Sequence, residues 1–240
     1  LLIFMPNILG AQFRLSSLSE MQIGNLPERE PRDLCTLYHQ FNFGYSLNHL
    51  RIGIRSEAFG SSESGRNYGE ILQRFVTYRR NTFQATLGHF YTIVGSGLLA
   101  HAFELPGVIT EQRGSRRRYQ IVRDLDGIHL RYVLPWGRIQ LLRGTPVNSD
   151  LPPGLTGINR RQGSIQGGTL TLQPHSYLDT KLSLIEYNTG EEREVGFSLG
   201  TRLRLEPLLL SLGLNDMHVD LYGEYARRNP GSGSIFSLDR

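Results

Sequence analysis

Along most of the chain, hydrophobic residues occupy every second position, which is the period of a β-strand with one apolar face. The clearest example covers residues 195–205, about the length of a tilted membrane-spanning strand. There, Val195, Phe197, Leu199, Thr201, Leu203 and Leu205 alternate with Gly196, Ser198, Gly200, Arg202 and Arg204. One face of this segment is apolar, and the other carries glycine, serine and arginine.

Similar alternation predicts further strands, which are separated by polar, glycine-rich or proline-rich turns. No segment shows a convincing helical period, so the sequence predicts an all-β fold built from consecutive antiparallel strands. The predicted strands cover residues 13–23, 34–47, 49–59, the two sides of a turn at Arg80-Asn81, 119–143 with a turn at Pro135-Trp136-Gly137, 163–173, 176–188, 194–206, 208–215 and 218–227.

The central stretch, residues 69–105, differs from the rest because glycines interrupt an apolar segment. After the second strand of this stretch, Gly95-Ser96-Gly97 breaks the strand geometry, since glycine adopts backbone conformations that other residues resist. Backbone that leaves a strand at membrane depth must be covered by protein. In a membrane-spanning barrel built from these strands, we therefore expect residues 94–99 to fold into the lumen or across the rim.

The composition supports strands with one apolar and one wet face. Hydrophobic residues make up 39% of the chain, and it contains 27 glycines, 11 tyrosines and 11 phenylalanines. The formal net charge of +4 comes almost wholly from arginine, because Lys181 is the only lysine. These arginines are spread along the strands without a basic tail or an aromatic-basic motif, so nucleic-acid binding is not expected.

The first nine residues are apolar and precede Gly10-Ala11-Gln12, which resembles the end of a secretory signal peptide cleaved after Ala11. A buried first strand is the alternative for this segment, although Pro6 and Asn7 are unfavourable there. We expect residues 1–11 to be a signal remnant and residues 12–240 to form a single β-barrel domain, incomplete in this chain. No other stretch reaches the ~18–20 apolar residues of a membrane-spanning helix.

Motifs for catalysis, cofactors and metals were not found. The sequence contains no G-x-S-x-G, P-loop, H-E-x-x-H or dinucleotide fingerprint, and Cys35 is its only cysteine. The seven histidines have no metal-ligand spacing and are expected on strand surfaces or in an aromatic girdle. We therefore predict no catalytic residue, no cofactor and no metal site, and no enzymatic activity.

A group of residues in the central stretch resembles a known family. Arg74-Phe75, Tyr78, Thr86, Gly88, Phe90-Tyr91 and Gly95-Ser96-Gly97-Leu98, together with the flanking segments 53–57 and 125–132, are similar to a pattern in the DUF6029 family. Its members are uncharacterised Bacteroidetes-type outer-membrane proteins. The resemblance implies an outer-membrane β-barrel, with motif positions at Gly88, Phe90, Tyr91, Gly95 and Gly97, and implies no substrate.

The leading hypothesis is an antiparallel up-and-down transmembrane β-barrel of a bacterial outer membrane, acting as a porin-like channel or as a component of an envelope complex. Its partners would be outer-membrane lipid and other envelope proteins, with an unknown ligand. Its lipid-facing residues would include Phe197, Leu199, Leu203, Leu205, Val219 and Leu221. Its lumen-facing candidates are Arg202, Arg204, Asp220, Tyr222 and Glu224, in which an arginine could pair with Asp220 or Glu224.

Two other readings stay open at this stage. A secreted or periplasmic β-sandwich would bury the apolar faces between two sheets and bind glycans or a partner protein through exposed aromatics such as Tyr132 and Trp136. An enzyme acting on a polysaccharide or lipid would need a carboxylate pair or a triad in a cleft, and no pattern in the sequence supports one.

Overall fold

The computed structural model describes most of the chain, and the following account concerns those residues. They are residues 11–25, 33–62, 67–102, 110–112, 115–117, 124–146, 163–188, 193–205, 219–228 and 232–239. Residues 1–10 of the predicted signal remnant (residues 1–11) and the predicted strand at 208–215 lie outside them. Among the described residues, no helix is long and apolar enough to cross a membrane.

Sixteen strands follow one another along the described residues; the two-residue period predicts most of them, but not the short strands between residues 92 and 117 or the last strand, at residues 232–239. They are β1 (Ala11–Asn25), β2 (Asp33–Leu47), β3 (Leu50–Ser61), β4 (Tyr68–Arg80), β5 (Phe83–Phe90), β6 (Thr92–Val94), β7 (Ala100–Ala102), β8 (Thr110–Gln112), β9 (Ser115–Arg117), β10 (Leu125–Leu134), β11 (Gly137–Pro146), β12 (Ser164–His175), β13 (Leu178–Asn188), β14 (Arg193–Arg204), β15 (Asp220–Arg228) and β16 (Ser232–Asp239).

Twelve of these strands form one antiparallel sheet, in the order β1-β2-β3-β4-β5-β10-β11-β12-β13-β14-β15-β16. Each strand pairs with the next one along the chain, except where two small hairpins, β6-β7 and β8-β9, are inserted between β5 and β10. This arrangement confirms the predicted all-β, up-and-down antiparallel fold. The sheet is not closed, because β1 and β16 each pair with a single neighbour among the described strands.

Several strands are joined by two-residue turns, which set the register of the sheet. Asn48 and Asn81 occupy these turns with positive φ angles of 50° and 49°. Asparagine tolerates this left-handed conformation better than most residues, which explains its use in tight hairpins. Pro135 and Trp136 form the turn between β10 and β11, as predicted, and the Trp136 side chain is exposed.

The sheet has two chemically different faces, which we call the apolar face and the hairpin face. The hairpin face is the one that contacts β6 and β7. Side chains of the apolar face are mostly large, hydrophobic and exposed; they include Leu15, Leu37, Ile54, Val76, Leu87, Ile128, Leu141, Leu184, Phe197, Leu199 and Tyr225. Buried side chains of the hairpin face are mostly polar; they include Thr36, Gln40, Glu57, Thr86, His129, Gln140, Thr169, Asp179, Ser198 and Glu224.

A small hydrophobic core lies between the β6-β7 hairpin and the hairpin face. Val94, Leu99 and Ala102 of the hairpin segment are buried there. Their partners come from β5, β10, β11, β12, β13 and β15, and they are Phe90, Leu125, Leu142, Ile165, Ile185 and Ala226. The strands from β10 to β15 would span about 24 Å if flat, at about 4.8 Å between neighbours. The sheet must therefore curve around the hairpin for one narrow segment to reach all of them.

Two of the histidines do not lie on an exposed strand surface, so that part of the sequence prediction is wrong for them. His89 and His129 are buried on the hairpin side. The imidazole of His129 stacks on the ring of Phe90, with 5.2 Å between centroids. Nδ1 of His89 lies 3.1 Å from the carbonyl oxygen of Arg74 on the neighbouring strand, and a strand period alone predicts neither of these contacts.

Candidate functional site

The β6-β7 hairpin and the hairpin face beneath it form the candidate site. The predicted glycine-rich segment 94–99 is the tip of this hairpin, and its turn is closed by a bond from Gly97 N–H to the carbonyl of Val94 at 3.2 Å. The hairpin therefore does leave the main sheet, as expected from its glycines. Three polar side chains from distant strands hold it in place.

The first two of these contacts come from β11 and β13. Gln140 donates from Nε2 to the hydroxyl of Thr92 at 2.6 Å and lies 3.4 Å from the carbonyl oxygen of Ile93. The hydroxyl of Tyr187 donates to the carbonyl of Leu99. Because β6 and the turn before β7 are both bonded to the sheet, the hairpin has a fixed position on the hairpin face.

The third contact is made by Glu224 of β15, which is only 4% exposed. Its carboxylate accepts a bond from the backbone N–H of Ser96 at 2.9 Å and another from the hydroxyl of Tyr222. Hydrogen bonds to an ionised acceptor are stronger than those between neutral groups. Glu224 is therefore the principal polar anchor of the hairpin tip.

Gly95 explains why the hairpin tip can approach Glu224 so closely. Its φ angle is +69°, a conformation that side-chain-bearing residues rarely adopt. A Cβ at this position would overlap Oε1 of Glu224 and lie 2.9 Å from Oγ of Ser198. Glycine is therefore needed at this position both for the backbone turn and for the close contact with Glu224.

Two arginines of β14 form ion pairs on the same face. Arg202 donates from Nε to Oδ2 of Asp220 at 2.9 Å, as the sequence analysis anticipated for an arginine of this strand. Arg204 pairs instead with Asp179 of β13. The carboxylate of Glu224 is bonded to the backbone N–H of Ser96 in the hairpin. Asp179 lies diagonally across from Arg204 on the neighbouring strand.

The five lumen-facing candidates thus lie on one face and within two adjacent strands. Arg202 and Arg204 come from β14, while Asp220, Tyr222 and Glu224 come from β15. Four of them contact one another in two pairs, Arg202 with Asp220 and Tyr222 with Glu224.

The family-motif positions surround the start of the hairpin. Gly88, with a φ angle of +91°, ends the pairing of β5 with β4 and lies opposite Gly127 of β10. Phe90 belongs to the small core, whereas Tyr91 is partly exposed and contacts Gln73. Gly95 and Gly97 both have positive φ angles in the hairpin turn.

Sequence reasoning missed the residues that hold the hairpin from other strands. Gln140 and Tyr187 were read only as members of alternating strands. Their polar side chains at inward positions were the available signal, since a buried polar group requires a partner. The identity of that partner depends on which segment covers the strand, and the period does not specify it.

Two of the cavities on the hairpin face adjoin each other. The first, of about 530 Å³, lies between the hairpin and strands β10 to β13. The second, of about 590 Å³, lies over β1 to β5 and β10. Tyr91, His129 and Arg131 line both, so the two cavities adjoin each other along the sheet.

The potential metal ligands and the thiol in the part of the chain that is described are not grouped together. No group of three or more His, Cys, Asp or Glu residues there is arranged to hold a metal ion. Cys35 is a free, exposed cysteine on β2.

Comparisons with known proteins leave the chain without an assigned family. No family model and no curated protein matches it. Among solved structures, it is similar to Pseudomonas aeruginosa OccD3 (OpdP), with 11% identity and a TM-score of 0.46 over 91% of this chain. It is also similar to a mutant Rh. blastica porin, with 9% identity and a TM-score of 0.28 over 95% of this chain.

The two similar structures differ in how much of their own length is matched. The chain spans 48% of the OccD3 chain and 98% of the porin chain. At these identities and TM-scores, neither similarity assigns a function.

Proposed function

We propose that the chain forms part of a transmembrane β-barrel of a bacterial outer membrane, and that this barrel acts as a porin-like channel. The observation that carries the proposal is the inverted distribution of side chains between the two faces of the sheet. Large hydrophobic residues are exposed on one face, and polar residues are buried on the other. A protein in water shows the opposite arrangement, whereas a barrel in lipid shows this one.

Exposed hydrophobic residues on the apolar face extend from the first strand of the sheet to β15. Leu15 is 62% exposed on β1, Leu184 is 59% exposed on β13, and Tyr225 is 47% exposed on β15. A continuous apolar surface on this scale is unfavourable in water and marks a membrane or protein contact. Ten of the twelve described strands of the sheet contain nine to fifteen residues, enough for the about 9–11 that cross a bilayer at a tilt.

The hairpin face has the character of a channel lining. It carries threonine, serine, glutamine and ion-paired residues, and the β6-β7 hairpin is fastened across it by Gln140, Tyr187 and Glu224. A segment of this kind inside a barrel narrows the passage and limits the size of solutes. In this proposal, Arg202, Arg204, Asp220, Tyr222 and Glu224 line the lumen.

The sandwich alternative has less support. It requires a second sheet packed on the apolar face, so that the hydrophobic side chains become a dry core. Among the described residues, the apolar face is exposed, and the β6-β7 hairpin packs on the opposite face. The resemblance to the DUF6029 family, a lipid environment, association with other envelope proteins and the absence of catalysis remain predictions.

Cell fractionation tests this proposal most directly. The protein, expressed with its complete natural sequence, should be found in the outer membrane, require detergent for extraction and migrate differently on gels before and after heating. Single-channel conductance in a planar lipid bilayer then tests the channel itself. Solubility in buffer with ordinary gel migration would contradict the barrel and favour the sandwich.

A further inference from the structure

We infer that the cavity between the β6-β7 hairpin and the sheet is a binding site for small oxyanions, with Arg131, Arg138 and Lys181 as its cationic groups. This inference rests on the proposed channel for its location in a lumen. It adds the chemical class of solute that the channel would bind and favour.

The three cations converge on the same cavity from three strands. Arg131 belongs to β10, Arg138 to β11 and Lys181 to β13, and all three line the space of about 530 Å³ beneath the hairpin. The other lining residues that are described include histidine, glutamine, threonine and serine, but no carboxylate. A volume of this size is within the ordinary range for sites that hold small molecules.

The cations of this cavity have neighbours other than ion-pair partners, since Nζ of Lys181 lies 6.0 Å from the ring centroid of Tyr222. Arg131, Arg138 and Lys181 form no ion pair with any described carboxylate. Nearby, Arg202 and Arg204 of β14 are paired with Asp220 and Asp179. Unpaired cations are therefore a local property of the cavity, since the arginines of β14 carry their own counter-charges.

Two buried nitrogen atoms at this cavity also lack a hydrogen-bond partner. They are Nε of Arg131 and Nε2 of His129. A buried polar group without a partner is costly, so it needs an explanation such as a bound ion or ligand. A carboxylate or phosphate oxygen would accept from the guanidinium and offset the repulsion between the neighbouring cations.

The adjoining cavity offers a route to the site. Arg14 and Arg51 line it together with the shared residues Tyr91, His129 and Arg131, and its described lining residues also include no carboxylate. Clefts lined by one sign of charge concentrate ions of the opposite sign. The hairpin face thus has a basic path over β1 to β5 that leads to the site under the hairpin.

Phosphate binding and ion selectivity test the inference, using the detergent-solubilised protein with its complete natural sequence. Inorganic phosphate and acetate are titrated separately, which distinguishes phosphate from carboxylate recognition. The variants are Arg138→Gln and Lys181→Gln, chosen because each removes one charge at the cavity. Arg143→Gln is the matched control, because Arg143 belongs to the same strand as Arg138 but lies on the apolar face.

We expect the dissociation constant of the preferred anion to rise about tenfold in each cavity variant, the effect of losing one charge-assisted hydrogen bond. The control should bind as the wild type does. In a planar bilayer, the wild-type channel should favour chloride over potassium, and the preferred anion should reduce the chloride current. Both effects should weaken in the two cavity variants, whose heat-modifiable gel migration should match that of the wild type.

The outcomes separate this inference from the channel proposal. A conducting protein that binds neither anion, or whose Arg143 variant loses as much affinity as the cavity variants, overturns the site and leaves the channel. A protein without conductance whose anion affinity still depends on Arg138 and Lys181 overturns the channel and supports the site.

Discussion

The two faces of the sheet are built from the same strands, yet one exposes hydrophobic side chains and the other buries polar ones. On β14, Phe197 and Leu199 are exposed, while Ser198 between them is buried under the hairpin. The apolar face makes no side-chain contacts with another layer among the described residues, and its stability depends on what surrounds it. The hairpin face is held by specific hydrogen bonds and ion pairs. The stability of one strand therefore depends on the surrounding solvent or lipid at one face and on hydrogen bonds and ion pairs at the other.

The largest expected effect comes from placing a charge on the apolar face. Leu184 lies in the interior of β13 and is 59% exposed. If lipid covers it near the bilayer midplane, Leu184→Arg should destabilise the folded protein by about 2–4 kcal/mol. The measurement is the folded fraction across a urea titration in liposomes, read from heat-modifiable gel migration.

Leu184→Met is the control for volume and should leave stability close to that of the wild type. Leu203→Arg gives a second comparison, because Leu203 is the penultimate residue of β14 and should lie near the membrane surface. There an arginine costs about 0–1 kcal/mol, so this variant should be destabilised less than Leu184→Arg. Equal stability of the Leu184 variants with arginine and methionine would contradict a lipid-facing surface.

The next largest effect should come from removing the anchor of the hairpin. Glu224→Ala removes the acceptor for the backbone N–H of Ser96 and for the hydroxyl of Tyr222. We expect the docked hairpin to lose about 1.5–3 kcal/mol, the range for hydrogen bonds to a charged group. Proteolytic cleavage within residues 92–102 should become faster, and single-channel conductance should rise.

Glu186→Ala is the matched control, because Glu186 of β13 pairs with Arg193 of β14 at an exposed position and makes no described contact with the hairpin. Exposed ion pairs contribute about 0.2–1 kcal/mol, so cleavage of the hairpin should stay close to the wild-type rate. A hairpin that is equally protected in both variants would show that Glu224 does not anchor it.

A smaller effect is expected from Gly95→Ala. An alanine in the left-handed region costs about 1–2 kcal/mol, and its Cβ would also press on Glu224 and Ser198. Thermal unfolding in detergent and the protease assay should both report looser docking of the hairpin. Gly69→Ala is the control, because a Cβ at Gly69 meets no atom within 4 Å. Indistinguishable behaviour of the two variants would mean that the tip accommodates a side chain.

The smallest effect should come from the Arg202–Asp220 pair. Its side chains are 45% and 24% exposed, so solvent screens their attraction. A double-mutant cycle with Arg202→Ala and Asp220→Ala should give a coupling of about 0.2–1 kcal/mol that decreases with added salt. A coupling well above this range would mean that water is excluded from this part of the hairpin face.

The sequence predicts most strands of the sheet and which residues share a face, although the predicted strands do not include β16. The side-chain period of a strand is two, so Phe197 and Leu199 must point away from Ser198 and Arg202 in any register consistent with the pattern. It also identified the glycines at which residues 94–99 leave the sheet. The arginine–carboxylate pair of Arg202 and Asp220 was predictable because both residues occupy polar positions of neighbouring strands.

The strands that the hairpin contacts depend on the tertiary structure and could not be predicted from the strand pattern. The N–H of Ser96 meets Glu224 across 128 residues of sequence, and Tyr187 meets Leu99 across 88. The assignment of Arg204 to Asp179 and the burial of His129 depend on the same packing. A two-residue period describes each strand alone, whereas these contacts depend on how far the sheet curves around the hairpin, and curvature is a property of all the strands together.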